Sequence, residues 1–180
     1  RLLASIFVRR GITRNEDLLY FLEDDIRFEH NPFLFSQMED AVDRILSALE
    51  EGEKVLIFGD RDVDGITSTA ILFRQLKSMG LDVTWRLPVA EEAYGLSMDA
   101  VDEFAKENGT LIITVDCGIS NNLEVNHAQE LGIDVIITNH HNPPETTPNA
   151  VAVIEPKCPD SGYPFSGISG AAVSYKLVSA

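Results

Sequence analysis

Basic residues are scarce in this 180-residue chain: 14 lysines and arginines face 29 aspartates and glutamates, a formal charge of −15. Sequence-independent attraction to a polyanion runs on Lys and Arg neutralising phosphates, so a broad basic surface for nucleic acid is excluded. Any nucleic acid must be gripped locally. Long apolar runs are also missing. None approaches the roughly 18 to 20 residues that span a bilayer, which argues against a membrane partner and for a cytoplasmic protein. The apolar stretch Leu2 to Val8 meets Arg9 and Arg10 rather than a cleavage site, which argues against a secretory leader. Only two cysteines occur, and they form no Cys-x-x-Cys pair; Cys117 reads as a buried thiol without a redox role.

What remains is hydrophobic content of 44%, sufficient for a real core in one domain with a small appendage. Residues 1–52 read as an N-terminal helical segment that packs on that core. One helix ends at Gly11 and a second spans about Asn15 to Glu23. A third is opened by a capping box, Ser36 with Glu39, carries the stripe Ala41, Val42, Ile45, Leu46 and Leu49, and closes at Gly52. From residue 53 the rhythm changes. The β-branched runs Val55 to Phe58, Val83 to Leu87, Leu111 to Val115, Ile133 to Thr138 and Val151 to Ile154 alternate with helical stretches near 66–79, 97–107 and 121–131. Runs without polar alternation imply strands covered on both faces, and strand-helix-strand order implies parallel pairing. The fold class is therefore α/β, a doubly wound, mainly parallel sheet. The final helix reaches Ser179 and Ala180 without a Gly or Asn cap, and the chain opens without Met, so it reads as a piece of something longer, cut at its C-terminal end.

The chemistry is concentrated after the strands. Asp60, Asp62 and Asp64 alternate between Gly59 and Gly65, directly behind the first apolar run. Like charges this close require water or a cation between them, and hard divalent ions such as Mg²⁺ or Mn²⁺ take carboxylate oxygens. An EF-hand is excluded: Gly65 suits loop position 6, but position 12 is Leu72 rather than Glu. The third run ends in Asp116-Cys117-Gly118 and the fourth in Asn139-His140-His141. Ligands of open parallel sheets bind beyond the strands' carboxyl ends, so these three clusters converge on one edge. Carboxylates and imidazoles there suit two cations about 3.5 to 4 Å apart, sharing one carboxylate, as in displacements at phosphorus.

These segments, with Glu155-Pro156-Lys157, Tyr163-Pro164-Phe165 and Gly167-Ile168-Ser169-Gly170, resemble the successive motifs of the DHH phosphoesterases. Within that superfamily the similarity is greatest to its single-strand-specific 5′-to-3′ DNA exonucleases, and it extends from Gly11-Ile12-Thr13 to the last residue. The resemblance implies a hydrolase with two Mn²⁺ or Mg²⁺ ions, single-stranded DNA as partner, a role in repair and recombination, and further domains that carry another metal-binding Asp. It also implies roles. Asp62 and Asp64 become ligands of different metals, Asp116 the bridging ligand, His140 a ligand, Asp60 a ligand or support, and His141 a catalytic group beside the scissile phosphate. Tyr94 would line the substrate channel, and Gly118 and Ser120 would offer N–H groups and a hydroxyl to an anion.

Three departures from the family pattern stand out. Asn139 occupies a position where the signature has Asp, which removes a negative charge and should weaken metal binding. Arg61 replaces a usual Tyr and would pair with an Asp or reach for phosphate. Pro88-Val89-Ala90 lacks an Arg that holds a terminal phosphate. These changes keep open a scaffold in replication or repair complexes, and a phosphodiesterase of short oligonucleotides or cyclic dinucleotides.

Overall fold

Five short apolar runs become five strands of one parallel sheet: β1 (Lys54–Phe58), β2 (Asp82–Arg86), β3 (Leu111–Val115), β4 (Asp134–Thr138) and β5 (Ala152–Ile154). Their order across the sheet is β2-β1-β3-β4-β5, and every neighbouring pair is parallel. The computed structural model describes residues 2–23, 26–89 and 91–180. Ala90 therefore lies outside the described residues, and with it the expectation attached to Pro88-Val89-Ala90.

The helices are α1 (Leu2–Arg9), α2 (Asn15–Leu22), α3 (Met38–Glu51), α4 (Val63–Met79), α5 (Met98–Lys106), α6 (Asn122–Glu130) and α7 (Gly170–Ser179). Successive residues of a strand point to opposite faces, and the core divides accordingly. On one face Val55, Ile57, Leu111, Ile113, Ile136 and Ile154 pack with residues of α3, α4 and α7. On the other, Leu56, Phe58, Ile112, Val135 and Ile137 pack with residues of α5 and α6. Strands β1, β3 and β4 are buried on both faces and need no polar alternation, which is why their runs are uninterrupted, whereas edge strand β2 alternates and leaves Trp85 exposed.

The chain falls into two compact units, residues 1–31 and 32–180, rather than dividing at residue 52. Helix α3 belongs with the sheet because Met38, Ala41, Ile45 and Ala48 are buried in its core. The buried stripe is rotated from the expected one: Leu46 is 41% exposed. Nor does the capping box form. The helix starts at Met38, its N-cap Gln37 makes no side-chain cap bond, and the Gln37 carboxamide instead accepts from the Val153 N–H of edge strand β5 at 2.6 Å. Ser36 is held by its backbone, donating to the Ser161 carbonyl at 2.8 Å. Tertiary pairing has displaced a local signal.

Helix α4 begins three residues earlier than its apolar pattern suggests, because Asp62 caps it, accepting from the Gly65 N–H at 2.9 Å. Among the described residues no helix is long and apolar enough to cross a membrane.

Candidate metal centre

From β1 the chain passes to β2 on one side and then crosses back to β3 on the other, so the winding reverses between β1 and β3. Such a switch point opens a crevice beyond the strand ends. β1 delivers Asp60 and Asp62 there. Gly59 and Gly65 let the turn close: a Cβ on Gly59 would meet Thr69 Oγ1 at 2.1 Å, and one on Gly65 would meet the Asp60 carbonyl oxygen at 2.4 Å. Asp64, in the first turn of α4, accepts the N–H of Gly170 at 2.8 Å and of Ala171 at 2.7 Å, both at the start of α7. A carboxylate at a helix N-terminus meets the positive end of the helix dipole.

β3 delivers Asp116, whose φ of +59° bends the chain sharply as it leaves the strand. Asp tolerates this left-handed conformation better than most residues, at some cost in strain. Its backbone stays paired, donating to the Thr138 carbonyl at 2.9 Å. β4 delivers Asn139, His140 and His141. His140 Nε2 lies 3.1 Å from Asp116 Oδ1 and 3.4 Å from Asp64 Oδ2. The 3.1 Å approach lacks hydrogen-bond alignment, for Asp116 Oδ1 is buried without a hydrogen-bond partner among the described residues.

His141 is held by partners whose donor roles fix its tautomer. The Tyr94 hydroxyl donates to the Asp116 carbonyl at 2.8 Å, so towards His141 Nδ1, 3.2 Å away, it can only accept. Asn139 Oδ1 lies 2.7 Å from the same nitrogen and also accepts from the backbone N–H of His140 and His141. Nδ1 therefore carries the proton. Burial, His140 and Lys157 depress the imidazole's pKa, which favours the neutral ring with a bare Nε2.

Among the described residues two sets of side chains bring ligand atoms within 4.8 Å of one another: Asp60, Asp62 and Asp116, and Asp116, His140 and His141. Asp116 belongs to both. Burial first, then the charges of Asp64, Asp62 and Asp60, push its carboxyl up to about 7. A carboxylate so placed is poorly tolerated unless a cation joins it. Oxygen and imidazole donors around an orphaned buried carboxylate oxygen fit a divalent ion of the Mn²⁺ or Mg²⁺ kind.

The model of the DHH family, N-terminal domain, matches residues 54–180, the stretch that supplies all of these groups. The chain belongs to the DHH family. It is 38% identical over 180 residues to the single-stranded-DNA-specific exonuclease RecJ of Bacillus subtilis, covering 99% of this chain and 23% of that protein. Among solved structures it resembles exonuclease RecJ bound to manganese, with a TM-score of 0.72 and 38% identity over 80% of this chain and 37% of the other. It also resembles RecJ of Thermus thermophilus in complex with Mn²⁺, with a TM-score of 0.73 and 33% identity over 96% of this chain and 23% of the other. The chain thus spans about a quarter of the length of the Bacillus protein.

Within this DHH domain the remaining expected residues divide. Tyr94 reaches the centre, as described, and Arg61 sits exposed in the turn between Asp60 and Asp62. Gly118 and Ser120 lie in the turn just ahead of α6, which starts at Asn122; Gly118 (φ +101°) packs against Thr114 and Ser120 is exposed. Asn121, which sequence reasoning passes over, holds the Tyr94 loop by accepting from the Leu96 N–H and donating to the Leu96 carbonyl. Gly170 enters the sequence reading only as part of a motif. Its role is steric, since a Cβ there would fall 2.5 Å from Asp116 Oδ1.

Proposed function

We propose that this DHH domain is the catalytic part of a metal-dependent phosphodiesterase of RecJ type, which removes nucleotides from the 5′ end of single-stranded DNA in repair and recombination. The observation that carries the reading is Asp116: one buried carboxylate with an unpartnered oxygen, common to two ligand sets drawn from three strand ends. A scaffold has no physical need for that arrangement. The relatives named above support the substrate, and the Mn²⁺-bound structures support the metal.

Asp60, Asp62, Asp116 and His140 would hold the ions, with Asp64 adjoining through His140. Bound divalent cations supply water activation and stabilise negative charge on phosphoryl oxygens. His141, oriented by Asn139 and Tyr94, presents Nε2 for hydrogen bonding or proton transfer at the phosphodiester. With a net charge of −15, phosphate must be attracted by the ions and by local cations such as Arg61 rather than by the surface as a whole.

Calorimetric titration with Mn²⁺ of the wild type and of Asp116→Ala tests the centre. Binding that Asp116→Ala abolishes is expected, and equal binding by both proteins would refute the assignment. Comparison of 5′-labelled single-stranded DNA, duplex DNA and a dinucleotide tests the substrate. Preference for the dinucleotide would replace the RecJ-type reading while leaving the chemistry intact.

A further inference from the structure

Two buried polar side chains next to the centre each have an atom that nothing satisfies. Asn139 is fully buried and its Nδ2, two N–H donors, has no hydrogen-bond partner among the described residues. Glu155 is also fully buried. Its Oε1 accepts from the Lys157 N–H at 2.9 Å, while its Oε2 has no partner among the described residues. An unsatisfied buried donor or acceptor costs about 1 to 3 kcal/mol, so two complementary orphans in one region call for a joint explanation.

The sheet register supplies it. β4 and β5 pair with Thr138 opposite Ile154, and the Asn139 N–H donates to the Ile154 carbonyl at 3.1 Å. Carried one residue beyond the strands, this register aligns Asn139 with Glu155. Side chains alternate between faces, so residues in register share one. Ile136, Ala152 and Ile154 lie in one core, whereas Ile137 and Val153 pack in the other. By that alternation Asn139 and Glu155 continue the second set, which turns a lone donor and a lone acceptor to the same face at the end of the sheet, beyond direct hydrogen-bond reach of each other.

We propose that Glu155 is a positioning residue for His141, fixing the Asn139 carboxamide through one water that accepts from Nδ2 and donates to Oε2. The assignment deepens the proposed function and rests on it. With Nδ2 committed to Glu155, Oδ1 is committed to the His140 and His141 backbone and to His141 Nδ1–H. Carboxylate, amide and imidazole form one line, and its product is the His141 tautomer with a bare Nε2. Outer groups of this kind set ligand orientation in metal sites. The amide at position 139 is then no simple loss of charge. It is the residue that a neighbouring carboxylate at 155 can hold, whereas Asp at 139 would set two carboxylates together.

¹⁵N NMR of the His141 side chain in the metal-free protein, together with Mn²⁺ affinity, tests the line. Wild type should show the Nδ1–H tautomer. Glu155→Leu, which removes the acceptor, should give mixed tautomers, and Glu155→Gln, whose amide oxygen still accepts, should fall between the two. Against the sequence expectation that a carboxylate at 139 strengthens metal binding, Asn139→Asp should lower Mn²⁺ affinity roughly tenfold, and adding Glu155→Gln should recover most of it. An unchanged tautomer in Glu155→Leu, or equal affinities for Asn139→Asp and Asn139→Asp/Glu155→Gln, would overturn the proposal. If Glu155→Leu does not fold, the affinity arm decides alone. Because the tautomer is read without metal, absence of Mn²⁺ binding in every variant counts against the proposed function and leaves the pairing standing.

Discussion

Gly170 at the start of α7 and Asp116 at the end of β3 approach so closely that a Cβ on Gly170 would lie 2.5 Å from Asp116 Oδ1 and 2.8 Å from its carboxyl carbon. The same glycine donates its N–H to Asp64. Gly170→Ala should therefore displace the Asp116 carboxylate or the helix, at a cost of about 1 to 3 kcal/mol typical of overpacking. Mn²⁺ affinity should fall at least tenfold while the far-ultraviolet circular dichroism is retained. Calorimetry beside a thermal melt would check both, and unchanged affinity would show that the methyl is absorbed elsewhere.

Metal should stabilise the fold. Asp60, Asp62, Asp64 and Asp116 repel one another in its absence, and a ligand that binds only the native state adds RT ln(1 + [L]/Kd), about 2.7 kcal/mol at a hundredfold excess over Kd. Mn²⁺ is expected to raise the melting temperature of the wild type and not of Asp116→Ala. Metal-free Asp116→Ala should melt no lower than the metal-free wild type, because it relieves a buried like-charge cluster. Differential scanning calorimetry with and without chelator distinguishes these cases.

Much of this was legible in the sequence, for reasons that particular residues make plain. Val55 to Phe58 and Leu111 to Val115 are apolar throughout because both faces are covered, and a strand end followed by Asp or His is visible in the chain itself. The start of α3 was not legible: Ser36 and Glu39 form a sound local signal, but Gln37 and Ser36 are claimed by β5 and by the Ser161 carbonyl, partners more than a hundred residues away. For the same reason Asp64 reads as one more ligand in a row, although its oxygens are shared with α7. Asn121 and Gly170 act by touching distant groups. Only the assembled sheet puts those contacts on view.

Tyr94→Phe removes the hydroxyl that joins the Asp116 carbonyl to His141 and leaves the ring in place. One hydrogen bond of this kind contributes about 0.5 to 1.5 kcal/mol, so turnover should drop roughly two- to tenfold. Mn²⁺ affinity should change less, since no oxygen of Tyr94 belongs to either ligand set. Steady-state kinetics on single-stranded DNA with parallel metal titrations would show the split. An equal loss in both would place Tyr94 among the ligand supports.

Glu155 predicts a pH dependence whose sign follows from its surroundings. Burial raises its carboxyl from 4.5 to about 7, against the opposing effects of the Lys157 backbone N–H and charge. A group whose native pKa is raised favours folding while it is protonated in both states, below about 4.5, and that contribution is lost as pH rises through about 7. At about 1.4 kcal/mol per pKa unit the loss is on the order of 3 kcal/mol. Glu155→Gln stays neutral throughout. The difference in unfolding free energy between the variant and the wild type should be small near pH ~4.5 and should favour the variant by a few kcal/mol near pH ~8.5. Urea titrations at the two pH values measure it directly, and because both proteins share Asp116 and every other titrating group, those contributions cancel in the comparison. A constant difference across the range would mean that Glu155 is ionised at low pH already, held there by a donor stronger than the Asn139 amide.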